Sequence, residues 1–389
     1  LSKSEYQNSP SQKRRGIFVL LKTKEEKMST TNCSKSYKNP ETSSGLKYGI
    51  IEVTTRCQFR CPGCYMVRRN TLGSKEMSLE QAINIIDLCK NYTGKELETM
   101  DILGGEPLLW KPLKDYIVVL QERGIQPWIF TNMVAITPDL AQWLFERQVS
   151  ITGKLNVGNS HDPEQLSLQA QLVGASKEMA HKMFEAIQVF LEAGYKDPLF
   201  KLENLLRRPN LSLVPDYLRF CEQHEIGVDL EILAIGEGMT EEDSQLCLSA
   251  LDIANLVKEV DANGLTKALF HEPSIADCFA MPHFSGPCRF NRFGLYFQVD
   301  GGIRACSNSS IQLSQIALDP EPIKKAFESK SMCARKELTQ EKVQEPCHSC
   351  EKWEKCRGGC RATVEGMSNS FGGYELCPWP ILRQEMRDR

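Results

Sequence analysis

Residues 47–64 read KYGIIEVTTRCQFRCPGC, and the reading of this stretch decides the fold. The first half, 47–55, is a short apolar run rich in β-branched and aromatic side chains, the signature of a buried strand. The second half places Cys57, Cys61 and Cys64 directly after that strand. Three thiolates on one short loop can hold three irons of a [4Fe–4S] cluster, which leaves the fourth iron without a protein ligand and open to another ligand. A zinc site lacking one ligand, or unligated thiols, are the other readings of the spacing.

Outward from this stretch, short apolar runs alternate with helical segments. Residues 78–92 read as a helix, with Ser78 and Gln81 spaced as a capping box. ETMDIL (98–103) is a second strand, and 111–124 a helix closed by Gly124. QPWIFT (126–131) is a third strand. Residues 138–148 form a helix with Pro138 in its first turn. The pattern continues with a strand over 149–155, a helix over 177–193, a strand over 197–206, a helix over 213–225 and a strand over 227–235. Six strands alternating with helices imply an α/β fold with a parallel sheet curled into a partial (β/α)6 barrel of TIM type, whose chemistry sits at the C-terminal strand ends. A single helix over 242–262 leads into a segment with Pro273, Pro282 and Pro287, where a domain boundary is expected. Residues 295–305 read as a hairpin turning at Asp300–Gly301. The expected organisation is a mobile tail over 1–45 (with Met28 a candidate initiator), the barrel over 46–240, a helical linker over 241–280 and a smaller cysteine-rich region over 281–389.

Composition narrows the function classes. The chain has 389 residues and a net charge of −3. That balance argues against a nucleic-acid binder working through a domain-wide basic field. The pairs Arg68–Arg69 and Arg207–Arg208 are short and read as solvated faces or anion contacts. No apolar run approaches the roughly 20 residues of a membrane helix. The apolar stretch 17–21 is shorter than a signal-peptide core and has no cleavage site after it. A cytoplasmic location is therefore expected, where thiols stay reduced, so the 16 cysteines are read as metal ligands before disulfides. The second cysteine group fits that reading: Cys288, then Gly301 and Cys306, then Cys347-x2-Cys350-x5-Cys356-x3-Cys360, and finally Cys377. A structural zinc ribbon is the alternative for Cys347 to Cys360. Cys33, Cys89, Cys221 and Cys247 fall in the tail or on helical segments and are read as small hydrophobes.

The Cys57–Cys61–Cys64 loop resembles the signature of radical S-adenosylmethionine (radical SAM) enzymes. Gly104-Gly105-Glu106-Pro107 after the second strand resembles the family's GGEP motif, which implies contacts to the methionine moiety of SAM. Two glycines allow close backbone approach, and Glu106 can accept from an ammonium group. Asn132, Lys154 and Asn156 stand at the ends of the third and fourth strands, where the family uses polar groups near SAM. Ile235-Gly236 ends the sixth, where the family contacts adenine. The family's aromatic residue before the third cysteine is replaced here by Gly63, and Tyr65 follows that cysteine as a candidate substitute. The C-terminal cysteines resemble the SPASM domain, which holds two auxiliary [4Fe–4S] clusters. The resemblance implies Cys347, Cys350, Cys356 and Cys377 for the outer cluster. It implies Cys288, Cys306 and Cys360 for the inner one, completed by Cys278 or Cys333 or left with an open iron.

The implied activity is that of an oxidoreductase or maturase. Reduced cluster and SAM yield methionine and a 5′-deoxyadenosyl radical, which takes a hydrogen atom from the substrate. The implied partners are an electron donor such as flavodoxin or ferredoxin and a substrate, with a separate leader-peptide-binding protein where one is needed. SPASM enzymes mostly modify ribosomal peptides or proteins, which favours a peptide. The fourth strand, TGKLNVGN (152–159), lacks the Ser-x-Asp-Gly pattern common among peptide-modifying members. Ser307 after Cys306 replaces the acidic residue of sulfatase maturases. A small-molecule oxidoreductase acting on a sugar or aminocyclitol is the alternative, and a non-catalytic iron-sulfur protein a distant one.

Overall fold

The computed structural model describes residues 45–266 and 288–388. The expected tail, Met28, Cys33, Cys278 and the prolines at 273, 282 and 287 lie outside the described residues. Six strands appear where the sequence places them: β1 Tyr48–Glu52, β2 Thr99–Leu103, β3 Gln126–Thr131, β4 Ser150–Lys154, β5 Phe200–Leu206 and β6 Gly227–Ile232. Between and after them run α1 Tyr65–Arg68, α2 Leu79–Thr93, α3 Leu113–Glu122, α4 Pro138–Glu146, α5 Pro163–Val173, α6 Lys177–Glu192, α7 Val214–Gln223, α8 Glu241–Leu246 and α9 Ala250–Ala262.

The strands join in the order β6-β5-β4-β3-β2-β1, all parallel, which is the partial barrel. Strand alternation sorts the side chains onto two faces. Ile51, Ile102, Ile129 and Ile151 stand in one register row across β1–β4 and are fully buried. They share a core with Ile85, Leu120, Leu144 and Ile187 from the surrounding helices. The other face is polar: Asp101 and Trp128 are register partners, as are Lys154 and Glu203, and Glu203 and Asp229.

Two helical expectations are corrected. The helix α5 was not foreseen, although its signals are local. Asp162 caps it by accepting from the Glu164 and Gln165 amides, Pro163 opens it, and Gly174 closes it at φ +61°. The expected single helix over 242–262 is two. Ser249 and Asp252 form a capping box that starts α9 afresh after the chain leaves helical geometry at Cys247.

The C-terminal region adds α10 Phe290–Phe293, β7 Gly294–Phe297, β8 Gly302–Arg304 and β9 Gln312–Gln315. It continues with α11 Pro322–Phe327, α12 Lys330–Glu337, α13 Trp353–Cys356, α14 Arg361–Met367 and α15 Trp379–Arg387. The expected hairpin is β7–β8, with Gly301 at φ +85° in its turn. Beyond that expectation, β7 pairs parallel with β1, so the hairpin and β9 extend the barrel sheet to nine strands.

Ile129 sits at the centre of the buried isoleucine row, whereas Leu318 is 80% exposed. Ile129→Ala is expected to cost ~2–5 kcal/mol in urea unfolding. Leu318→Ala should stay within about 0.5 kcal/mol in the same assay.

Candidate active site and cysteine groups

The chain between β1 and α1 carries Cys57, Cys61 and Cys64, and the chain after β2 presses against it. The Gly105 amide donates to Thr54 O and the Glu106 amide to Arg56 O, both at 2.7 Å. A Cβ on Gly105 would lie 2.1 Å from Arg56 O and 3.0 Å from Cys57 Cβ. Gly104, at φ +153°, would place one 2.4 Å from Thr54 O. Only glycines let these two segments meet. Gly63 has φ +80°, and a Cβ there would reach 2.9 Å from Leu233 Cδ1. An aromatic side chain at this position would be strained in that backbone conformation.

Glu106 is fully buried, and three donors of this chain hold its carboxylate. Oε1 accepts from the Leu108 amide at 3.0 Å and Thr131 Oγ1 at 2.6 Å, and Oε2 accepts from the Asn132 amide at 2.7 Å. Burial pushes its pKa up to about 7, against the pull of these donors. Glu106 thus ties the end of β2 to the end of β3. Asn132 turns its Nδ2 toward Gln58 Oε1 at 3.2 Å and Cys57 Sγ at 3.8 Å.

The other strand-end candidates are placed as follows. Lys154 is ion-paired with Glu203, and Glu231 and Asp229 lie within its electrostatic reach. Asn156 accepts from Arg207 Nη2 at 3.1 Å through Oδ1, while its amide donates to Gln169. Tyr65 packs edge-on against Tyr296 of β7, whose hydroxyl donates to Glu52. Ile235 meets the C-terminal region: a Cβ on Gly366 would lie 2.6 Å from Ile235 O.

Burial raises the thiols of the first group, Cys57 to about 11 and Cys61 to about 12, and each of the two also feels the Cys64 thiol. In the C-terminal region Cys288, Cys306 and Cys360 act on one another electrostatically. Cys347, Cys350, Cys356 and Cys377 line one small cavity with Trp353, Tyr374 and Trp379. The seven cysteines therefore fall into two groups of three and four. Among the described residues no three His, Cys, Asp or Glu side chains converge closely enough to share a single metal ion. A four-iron cluster asks for wider spacing, because its thiolates sit on separate irons. The donor sets fit such clusters: all-thiol, partly buried and grouped. Cys333 sits on α12 with its sulfur 3.5 Å from Glu328 O. Cys89 and Cys221 are packed in the core as expected.

Several site residues escaped the sequence reading. Asp101 holds Arg289 through both carboxylate oxygens, at 2.8 and 3.0 Å, on the polar barrel face. The signal was available: polar residues recur at every second position of strands that are otherwise buried. The pair Arg207–Arg208 divides between its two readings. Arg207 is 1% exposed beneath the cysteine loop, and only Arg208 beside it is solvated. Burial lowers the Arg207 pKa to about 10, and Cys61 and Cys64 oppose that shift. Arg335 and Arg361 are also buried, each near cysteines of the C-terminal groups. Arg335 is locked to Glu365 at 2.8 and 2.5 Å.

Residues 51–208 match the family model described as the Radical SAM superfamily. The fold is similar to that of Streptococcus suis SuiB, whose structures include complexes with S-adenosylmethionine and with its precursor peptide SuiA. In the S-adenosylmethionine complex the identity is 16% and the TM-score 0.60, over 86% of this chain and 77% of that one. It is similar also to anSMEcpe with bound AdoMet, at 16% identity and TM-score 0.62, over 88% of this chain and 96% of that one. Among curated proteins, a GTP 3',8-cyclase of Marinobacter nauticus is 23% identical over 207 residues, 52% of this chain and 58% of that protein. The chain spans about half the length of the curated relatives it matches. No helix among the described residues is long and apolar enough to cross a membrane.

Two substitutions check the geometry. Gly105→Ala should destabilise by ~1–3 kcal/mol in anaerobic urea unfolding through overpacking. Gly73→Ala, whose Cβ meets only Thr55 Oγ1 at 3.6 Å, should be near neutral. Thr131→Val removes a buried donor to Glu106 and an acceptor for the Met133 amide. It is expected to cost ~1–3 kcal/mol in the same measurement.

Proposed function

We propose that this chain, which carries a radical SAM domain over residues 51–208 and a SPASM-like C-terminal region, is a radical SAM maturase acting on a ribosomally made peptide. The family implies S-adenosylmethionine and a [4Fe–4S] cluster; bound together and reduced, they supply reductive cleavage of SAM and hydrogen-atom abstraction from an unactivated carbon. The observation that carries the reading is the meeting of the Cys57–Cys64 loop with Gly104–Gly105, where the two segments touch at backbone distance.

Each residue has a part in this reading. Cys57, Cys61 and Cys64 hold the cluster and leave one iron for SAM. The Gly104–Pro107 segment offers its backbone to the methionine end of SAM, and Glu106 fixes that segment through Thr131 and Asn132. Asn132, beside Cys57, Tyr65, beside Tyr296, and Lys154 and Asn156, at and just beyond the end of β4, frame the remainder of SAM. The polar barrel face of Asp101, Trp128, Lys154, Glu203 and Asp229 forms the substrate wall, and burial around it excludes water from the reacting groups. Cys347, Cys350, Cys356 and Cys377 hold an outer auxiliary cluster. Cys288, Cys306 and Cys360 hold an inner one, completed by Cys278 or Cys333 or left with an open iron. An electron donor such as flavodoxin or ferredoxin supplies the electron.

The peptide assignment draws support from the likeness in fold to SuiB, which extends through the C-terminal region. The curated GTP 3',8-cyclases and the charged barrel face favour a second reading, a small metabolite. One experiment separates them. Reconstituted, dithionite-reduced protein is incubated with SAM and extracts of deuterium-grown source cells, split by size. Deuterium in 5′-deoxyadenosine from the peptide-sized fraction alone supports the maturase. Label from the metabolite fraction alone overturns it. The variant with Cys57, Cys61 and Cys64 all changed to Ala should form 5′-deoxyadenosine only at background, and turnover equal to wild type would refute the site.

A further inference from the structure

A buried guanidinium is costly unless an anion sits beside it, because taking an ion out of water costs several kcal/mol. Four arginines among the described residues are buried: Arg207, Arg304, Arg335 and Arg361. Two have carboxylates, Arg304 with Glu237 at 3.1 Å and Arg335 with Glu365 at 2.5 Å. The other two make their hydrogen bonds to neutral groups, and both lie against cysteine groups. Arg361 donates to Gly372 O and Gly358 O. Arg207 donates to Pro62 O at 3.1 Å, Leu172 O at 2.9 Å and Asn156 Oδ1 at 3.1 Å, and its buried Nε has no hydrogen-bond partner.

Pro62 lies between Cys61 and Cys64, so Arg207 grips the cysteine loop from beneath through its backbone. The groups that bear on the guanidinium electrostatically are the sulfurs of Cys61 and Cys64. Every hydrogen bond of this buried guanidinium goes to a neutral oxygen, so the protein chain itself offers it no carboxylate. As thiolates on a cluster, the two sulfurs carry the missing negative charge.

We propose that Arg207 is the internal counter-cation of the Cys57–Cys61–Cys64 cluster, a positioning residue that holds the loop and stabilises the more negative, reduced state of the cluster. The inference rests on the reading of that loop as a cluster site. It follows from charge: reduction adds one electron beside a fixed positive group in a low-dielectric interior, so removing the group makes reduction harder.

The test uses full-length, anaerobically reconstituted protein and EPR-monitored redox titration of the signal that changes when SAM is added. Arg207→Gln is expected to make one-electron reduction at least tenfold less favourable, a shift of ~59 mV or more to lower potential. Arg207→Lys, which keeps the charge, should stay within about threefold of wild type. Asn156→Asp leaves the arginine in place but gives it a carboxylate, and should shift the potential in the same direction as Arg207→Gln. This third variant keeps the inference testable if Arg207→Gln does not fold. An unshifted potential in Arg207→Gln or Asn156→Asp overturns the proposal. So does an Arg207→Lys shift as large as that of Arg207→Gln, which would mark a packing role, or a change confined to SAM affinity, which would make Arg207 a SAM ligand. A wild-type chain that takes up iron but gives no SAM-responsive signal overturns the cluster reading itself, and the inference with it. A responsive wild type with unshifted variants overturns the inference alone.

Discussion

The structure depends on one backbone contact. The amides of Gly105 and Glu106 continue the β1–β2 pairing beyond the strands, onto Thr54 O and Arg56 O. At 2.7 Å this leaves no space for a Cβ on either glycine, so the loop after β2 and the cysteine loop after β1 form one packed unit. Glu106 then carries the constraint sideways. Its buried carboxylate binds the end of β3 through Thr131 Oγ1 and the Asn132 amide, and Asn132 returns to Cys57. Three strand ends are fixed by hydrogen bonds that water cannot replace, which is the condition for a site held in one geometry.

The same sheet brings in the C-terminal region. Because β7 pairs with β1, Cys288, six residues before β7, and Cys306, two residues after β8, are carried by the barrel sheet. Gly366 of α14 packs on Ile235 beyond β6, so the C-terminal region touches the barrel at both ends of the parallel sheet. Tyr296 of β7 meets Tyr65 and Glu52 at the start of the cysteine loop. Cys288 and Cys306 are therefore tied to the first cysteine loop through the β1–β7 pairing and the contacts of Tyr296.

Charge is distributed by a consistent physical logic. The helix-facing side of the sheet is aliphatic, and the inner side pairs its charges: Asp101 with Arg289, Lys154 with Glu203. Buried arginines without a carboxylate occur at cysteine groups, where ligated thiolates would balance them.

Much of this was legible in the sequence. The six strands, the capping box at Ser78, the turn at Gly301 and the cysteine loop after β1 follow from local periodicity and spacing, because strand alternation, helix caps and ligand loops are set by neighbours in the chain. The grouping of the C-terminal cysteines, by contrast, was implied by the family resemblance. Where local signals were passed over, as with the Asp162 cap of α5 or the Ser249 cap that divides 242–262, the cause was a short segment weighed by periodicity alone. Tertiary structure alone decided the rest. That β7 adds to β1, that Arg207 is buried and not solvated, and that Glu106 spends its carboxylate on Thr131 and Asn132 depend on contacts between residues far apart in sequence. The sequence determined which residues stand at the strand ends and what chemistry they carry. Only the packed sheet decided which of them share an environment, because burial and pairing belong to the surroundings of a side chain and not to its place in the chain.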